Sequence, residues 1–64
     1  MNARIVLGAK TYEVEPGVSI GSALEMISVP SESVLAILNG EMAPESQIIQ
    51  DGDQIKLVFV ISGG

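Results

Sequence analysis

The sequence predicts an α+β domain in which one short helix packs across one mixed β-sheet. Alternating apolar and polar residues near both ends of the chain are typical of half-buried strands. One segment, 20–28, instead places its apolar residues at helical spacing. The elements follow the order strand, strand, helix, strand, short strand, strand, with no linker or repeat between them. This order favours a single two-layer domain at 1–61, followed by a flexible tail at 62–64.

The first two strands are predicted to form a hairpin. Their inward positions are apolar or aromatic: Ala3, Ile5, Leu7, Tyr12 and Val14. Gly8-Ala9 suits a two-residue hairpin turn with glycine first, and Pro16-Gly17 ends the second strand.

The helix is predicted from about 20 to 28. Ser19 is a good N-cap, and Ser22-x-x-Glu25 offers a capping box one turn later. The apolar positions are Ile20, Ala23, Leu24 and Ile27. Pro30 prevents the helix from continuing, because proline lacks the N–H that a helix interior requires.

The middle of the chain predicts a central strand and a short return strand. Val34–Leu38 is apolar on both faces, which fits a strand that is covered on each side. Asn39-Gly40 is the favoured dipeptide of a type I′ hairpin turn, so a return strand is expected at 41–42. After a turn at 44–47, either Ile48 or Ile49 is expected to point inward.

The last strand is predicted at 54–61. One parity suits the core: Ile55, Leu57, Phe59 and Ile61. The other parity places Val58 and Val60 on the outer face of the sheet as exposed apolar residues. We expect these two valines, together with Ile37, to form a docking face for a partner. The alternative is that they are solvent-facing strand formers.

The composition excludes several classes of function. The net charge is −5, and the three cations, Arg4, Lys10 and Lys56, lie far apart in sequence, whereas nucleic-acid binding relies on clustered Lys and Arg. No apolar stretch reaches the roughly 18 residues of a membrane helix, and no secretion signal is visible. We therefore expect a cytoplasmic protein without a membrane or nucleic-acid partner. Only 17% of the residues are charged, which favours an exposed apolar patch.

The chain offers little to enzyme chemistry. It has no Cys and no His, and its carboxylates are scattered, so we predict no catalytic residue and no metal site. Asp51-Gly52-Asp53 is interpreted as a turn, because the rest of a calcium loop is missing. The reactive group most worth considering is the α-carboxylate of Gly64, on a slim Gly63-Gly64 end that has no Cβ atoms.

Several short segments, taken in their order and spacing, resemble one family. They are Ser19-Ile20 with Ala23-Leu24, Asn39-Gly40-Glu41, Pro44-Glu45-Ser46-Gln47, Asp51-Gly52-Asp53-Gln54-Ile55 and Val60-Ile61-Ser62-Gly63-Gly64. On these motifs nearly the whole chain resembles the ubiquitin-like β-grasp sulfur carriers, most closely the ThiS family of thiamin biosynthesis. It departs from that family at Ile48, where a tryptophan is common.

The resemblance implies a β-grasp fold with four to five strands on one helix, and a protein carrier rather than an enzyme. In such carriers a ubiquitin-activating-type enzyme uses ATP and magnesium to adenylate the last glycine, here Gly64. A sulfur donor then converts the adenylate to a thiocarboxylate at the end of a tail formed by Ser62, Gly63 and Gly64. The sulfur would pass to thiazole synthase or to another sulfur-accepting enzyme. The carrier itself would hold no cofactor stably, and we expect a monomer when it is alone.

Other carriers and modifiers have a similar ending. The small subunits of molybdopterin synthase resemble this chain, and a carrier could also serve tRNA thiolation. Small archaeal ubiquitin-like modifiers are instead conjugated to lysines. All of them need the same adenylation, so the terminal Gly63-Gly64 does not distinguish between them.

Overall fold

The computed structural model describes residues 2–60, and it confirms a mixed sheet packed on one helix. The strands are β1 (Ala3–Leu7), β2 (Lys10–Val14), β3 (Val34–Leu38), β4 (Glu41–Ala43) and β5 (Gln54–Phe59). The helix α1 is Ile20–Met26, and an additional 3₁₀ turn, which was not predicted, is Ser31–Ser33. The strands lie in the order β2-β1-β5-β3-β4.

Both hairpins form through the turns that the sequence predicts. Gly8-Ala9 joins β1 to β2, and Gly8 has a φ of 59°. Asn39-Gly40 joins β3 to β4, and its two residues have φ values of 52° and 87°. A positive φ at both central residues is what a type I′ turn requires, and Asn and Gly adopt it at low cost.

The middle strand of the sheet is β5, and β3 lies between β5 and β4 as an interior strand. The expectation that both faces of Val34–Leu38 are covered is wrong. β5 runs parallel to β1 and antiparallel to β3. β3 therefore has only the three-residue β4 on its other side. One face of β3 packs on the core, but Leu35 on the opposite face is 38% exposed. The apolar residues on the outer face of β3 are therefore open to solvent, and no second layer covers them within residues 2–60.

The helix begins where the sequence predicts it. Ser19 is the N-cap, and its Oγ accepts a hydrogen bond from the Ser22 N–H at 3.2 Å. The helix starts at Ile20, one residue after this cap. Ser22 therefore lies inside the first turn of the helix and is not the N-cap of a capping box with Glu25.

The helix ends two residues earlier than predicted. The N–H groups of Ser28 and Val29 donate to the carbonyls of Glu25 and Leu24 at 3.1 Å and 2.9 Å. Ser28 has a φ of 60°, in the left-handed region. This combination is a Schellman motif with serine at the position that is usually glycine. It stops α1 before Pro30 is reached.

The core lies between α1 and the inner face of the sheet. Its largest fully buried side chains are Ile5, Ile20, Leu24, Ile49 and Ile55. Of the two adjacent isoleucines, Ile49 points inward and Ile48 is exposed. The Gly17 N–H donates to the Ile49 carbonyl, and the Ile49 N–H donates to the Val18 carbonyl, both at 2.8 Å. These bonds hold the irregular segment before β5 next to the entry of the helix.

Phe59 does not join the core, contrary to the prediction. It shares the parity of Ile55 and Leu57, which are buried, but it is itself 57% exposed. Phe59 is the last residue of β5 and pairs with Val34, the first residue of β3. It therefore lies at the end of the sheet, where fewer neighbours surround a side chain. Ile61, which was assigned to the same inward set, lies outside the described residues.

Candidate docking face

The described part of the chain ends at a residue that is hydrogen-bonded to the body. The Val60 N–H donates to the Ser33 carbonyl at 2.9 Å, one residue beyond the end of β5. The adenylation site predicted at Gly64 and the tail residues Ser62 and Gly63 lie outside the described residues. So does the predicted domain boundary at 61. Val60 is therefore the last described residue, and it is bonded to the start of the strand β3 through Ser33.

The outer face of the sheet, opposite α1, carries a group of apolar side chains. Val58 of β5 pairs with Leu35 of β3, and Ile37 of β3 pairs with Met42 of β4. Val60 follows Val58 on the same parity. We call this group the outer apolar patch: Leu35, Ile37, Met42, Val58 and Val60.

Most of this patch is open to solvent. Val58 is 40% exposed, Val60 is 42% exposed and Met42 is 71% exposed, while Ile37 is half-buried. The predicted position of Val58 and Val60 outside the core is confirmed. The structure also brings Ile37 to the same face, so the three predicted docking residues share the outer face of the sheet. Their role in docking stays a prediction.

Two members of the patch, Leu35 and Met42, were not predicted. Both could have been found from the sequence. A two-residue turn at Asn39-Gly40 fixes the register of the hairpin, and this register places Met42 beside Ile37. Leu35 shares the parity of Ile37, and it was missed because β3 was expected to be covered on both faces.

The outer face is less acidic than the chain as a whole. The charged residues at its strand positions are Arg4, Glu13 and Lys56, where Arg4 pairs with Glu13 and Lys56 lies beside Ile37. This face therefore carries two cations and one carboxylate, although the net charge of the chain is −5. A complementary partner would present apolar side chains to the patch and a carboxylate near Lys56.

The predicted turn at 51–53 forms through hydrogen bonds. The Gln50 N–H donates to Asp53 Oδ2 at 2.9 Å, and the Asp53 N–H donates to the Gln50 carbonyl at 3.1 Å. Gly52 has a φ of 84°, which a side chain would resist. The Asp53 carboxylate thus has a conformational role.

No group of three or more Asp, Glu, His or Cys side chains among residues 2–60 is arranged to hold a metal ion. No helix among the same residues has the length and apolar character needed to cross a membrane.

The fold is that of ubiquitin and its relatives. The structure of ThiS from Geobacter metallireducens superposes with a TM-score of 0.69 at 24% identity, and the match covers 100% of both chains. SAMP1 from Haloferax volcanii superposes with a TM-score of 0.68 at 18% identity, again over 100% of both chains. The ubiquitin of Caldiarchaeum subterraneum gives a TM-score of 0.64 at 20% identity and covers 100% of this chain and 98% of that chain. The protein is therefore a ubiquitin-like β-grasp domain.

The similarity also extends to a larger protein. ATBAG1, in its complex with HSP70, matches 92% of this chain, but this chain spans only 40% of ATBAG1 in that match. At 17% identity this likeness shows the fold alone.

The family is shown by sequence. The sequence model of the ThiS family matches residues 2–64, a span that includes the outer apolar patch and the terminal Gly63-Gly64. By this match over nearly its whole length, the chain belongs to the ThiS family.

Proposed function

We propose that this protein is a sulfur carrier whose C-terminal carboxylate, on Gly64, is adenylated and then converted to a thiocarboxylate. The observation that carries the proposal is the match to the ThiS family, because it runs through the terminal Gly63-Gly64. The family and the fold support a sulfur carrier or a small ubiquitin-like modifier. The family favours the carrier.

The proposed chemistry uses one group of this chain. A carboxylate oxygen of Gly64 attacks the α-phosphorus of ATP, and pyrophosphate leaves. A sulfide nucleophile then attacks the acyl carbon and displaces AMP, which gives the thiocarboxylate and a proton. If the donor is instead a persulfide, an acyl disulfide forms, and a second thiol must reduce its S–S bond, leaving with the donor sulfur as a disulfide. ATP and magnesium belong to the partner enzyme. Because Gly63 and Gly64 have no side chains, the end of the chain is slim enough to enter a narrow active site.

The outer apolar patch is the proposed dock for this enzyme. ThiS-family proteins work with adenylating enzymes and sulfur acceptors. The patch includes Val60, the last described residue before the segment 61–64. A partner seated on it would hold the body while the C-terminal segment reaches the active site. The acceptor that we propose is thiazole synthase, in the biosynthesis of thiamin.

The test is the intact mass of the chain after incubation with its cognate adenylating enzyme, ATP, magnesium and a sulfur source. We expect a gain of ~16 Da, the replacement of one carboxylate oxygen by sulfur. A variant that lacks Gly64 is the matched control and should show no gain. If the full chain is adenylated but never gains this mass, the carrier function is contradicted.

A second experiment, mass spectrometry of tryptic digests of host proteins, distinguishes the modifier from the carrier. A modifier would form isopeptide bonds, and because the last tryptic site of this chain is Lys56, modified lysines would carry residues 57–64, which end in Gly-Gly. If conjugates form and no thiocarboxylate is found, the protein is a modifier and not a carrier. If neither product is found, the protein is a binding module that is not activated at Gly64.

A further inference from the structure

β3 is longer than its edge partner β4, and part of its edge is therefore uncovered. The last pair of the β3–β4 ladder is Ala36 with Ala43. Val34 and Leu35 pair with β5 on one side, and within residues 2–60 no strand pairs with them on the other. An unpaired strand edge is a template for the addition of another strand.

The chain that follows β4 is held against α1 instead of continuing beside β3. Pro44 begins a turn that is closed by a hydrogen bond from the Gln47 N–H to the Pro44 carbonyl at 3.0 Å. The Gly21 N–H donates to the Glu45 carbonyl, also at 3.0 Å. A groove of about 510 Å³ opens between this loop and the 3₁₀ turn. We call it the edge groove.

The edge groove has an apolar floor and two acidic residues in its walls. Its floor consists of buried side chains: Ile20, Leu24, Val34 and Ala36. Glu32 in the 3₁₀ turn and Glu45 in the loop after β4 both line it, and both are exposed. Neither Lys nor Arg is among the described residues that line it. This combination attracts a cationic ligand with an apolar centre.

We propose that the edge groove binds an extended, positively charged segment of a partner protein by strand addition along Val34 and Leu35. In an extended segment alternate side chains point to the same face, so apolar residues can reach the floor. Flanking Lys or Arg residues then lie near Glu32 and Glu45, and their charges select the segment. This proposal does not depend on sulfur transfer. The groove adjoins the outer apolar patch, because Leu35, Met42 and Val60 line both.

The test uses two defined peptides and the full chain labelled with ¹⁵N. The cationic probe is acetyl-Lys-Lys-Val-Leu-Val-Lys-Lys-amide, and the acidic probe replaces each Lys by Glu. We expect the cationic probe to shift the amide resonances of 31–36 and 42–45, and the acidic probe to leave them in place. Binding should weaken as the salt concentration rises from about 50 mM to about 500 mM, because exposed charges are screened.

A charge-reversal pair identifies the residues. Glu32→Lys with Glu45→Lys should weaken binding of the cationic probe about tenfold, as expected for two exposed ion pairs that become repulsions. Glu15→Lys with Glu25→Lys is the matched control, since it makes the same change in net charge at exposed residues outside the groove. The control should change the dissociation constant less than about twofold.

Three results would overturn the proposal. The first is equal weakening in both charge-reversal variants, which would mean that only net charge matters. The second is a set of shifted amides that lies on the outer face and excludes 31–36. The third is a shift of the groove amides when residues 61–64 are deleted, with tighter probe binding afterwards. That result would make the chain's own C-terminal segment the occupant.

Discussion

The backbone N–H of Val60 donates to the carbonyl of Ser33 at 2.9 Å, and this bond joins the C-terminal end of the described chain to the start of β3. It lies beyond the last residue of β5, so it is not part of the regular ladder. The proposed reactive group lies four residues farther along the chain, and this bond fixes the position of Val60, the last described residue before it. Positioning of this kind governs how often a reactive end reaches an active site.

The hydrogen bond of Val60 can be removed without removing a residue. Val60→Pro lacks the donor, and we expect a loss of about 1 kcal/mol in the free energy of unfolding, the net contribution of one hydrogen bond. Val60→Ala keeps the donor and is the control for the side chain. If the bond also positions the C-terminal segment, kcat/KM for adenylation falls further in the proline variant than in the alanine variant. Equal urea stability of the two variants would contradict the structural role.

The C-terminal end of α1 predicts a stabilising substitution. Ser28 has a φ of 60°, a conformation that costs a residue with a Cβ atom about 1–2 kcal/mol and costs glycine little. Ser28→Gly should therefore raise the free energy of unfolding by about 0.5–1 kcal/mol, after the greater chain entropy of glycine is subtracted. Urea unfolding measures the change. Ser28→Ala keeps a Cβ atom and should not stabilise the protein; a gain as large as that of glycine would contradict the Schellman geometry.

Gly21 shows the opposite case, a helical glycine at which an added Cβ atom would be crowded. An alanine Cβ at this position would lie 3.3 Å from Glu45 Cβ and 3.2 Å from Glu45 Oε1. Alanine favours a helix over glycine by about 1 kcal/mol, but the crowding opposes this gain. We expect Gly21→Ala to leave the free energy of unfolding within about 0.5 kcal/mol of its present value, as measured by urea unfolding.

A double-mutant cycle separates the two effects at Gly21. Glu45→Gly removes the crowding side chain, so Gly21→Ala in that background should recover most of the helix gain of about 1 kcal/mol. The absence of any difference between the two backgrounds would show that contact with Glu45 does not oppose the helix gain of alanine.

The local features of the fold could be predicted from the sequence because short-range chemistry decides them. Gly8-Ala9 and Asn39-Gly40 form their turns, and Ser19 caps the helix, since each depends only on neighbouring backbone. Parity also placed Val58 on the outer face correctly. In each of these cases the residue type or the alternation along the strand allows only one favourable local conformation.

Features that depend on the whole sheet could not be predicted in the same way. An apolar strand such as Val34–Leu38 has the same sequence pattern whether its second face is buried or is kept open for a partner. Which of Ile48 and Ile49 points inward depends on the hydrogen bonds of Ile49 to Gly17 and Val18, which join distant parts of the chain. The chemistry at Gly64 was inferred by elimination and by family resemblance, and its role remains a prediction.

The last prediction separates docking from folding at the outer apolar patch. Val58 pairs with Leu35 and is 40% exposed, so Val58→Asp places a charge in solvent and not in the core. We expect a loss of stability of no more than about 1 kcal/mol, the range of strand propensity. A valine that becomes buried against a partner contributes up to about 1.5–3 kcal/mol, less the cost of ordering it, so adenylation at limiting partner concentration should slow about tenfold.

The control places the same charge on the same face of the sheet but away from the patch. Thr11 on β2 is exposed and pairs with Val6, so Thr11→Asp changes the net charge equally. We expect it to be adenylated at close to the normal rate, which would assign the defect of Val58→Asp to lost apolar contact and not to electrostatic repulsion of the enzyme. Equal slowing of both variants would instead assign it to charge. Unfolding of Val58→Asp, monitored by circular dichroism, would mean that this valine stabilises the core, and normal adenylation of a folded Val58→Asp would remove the patch as the dock.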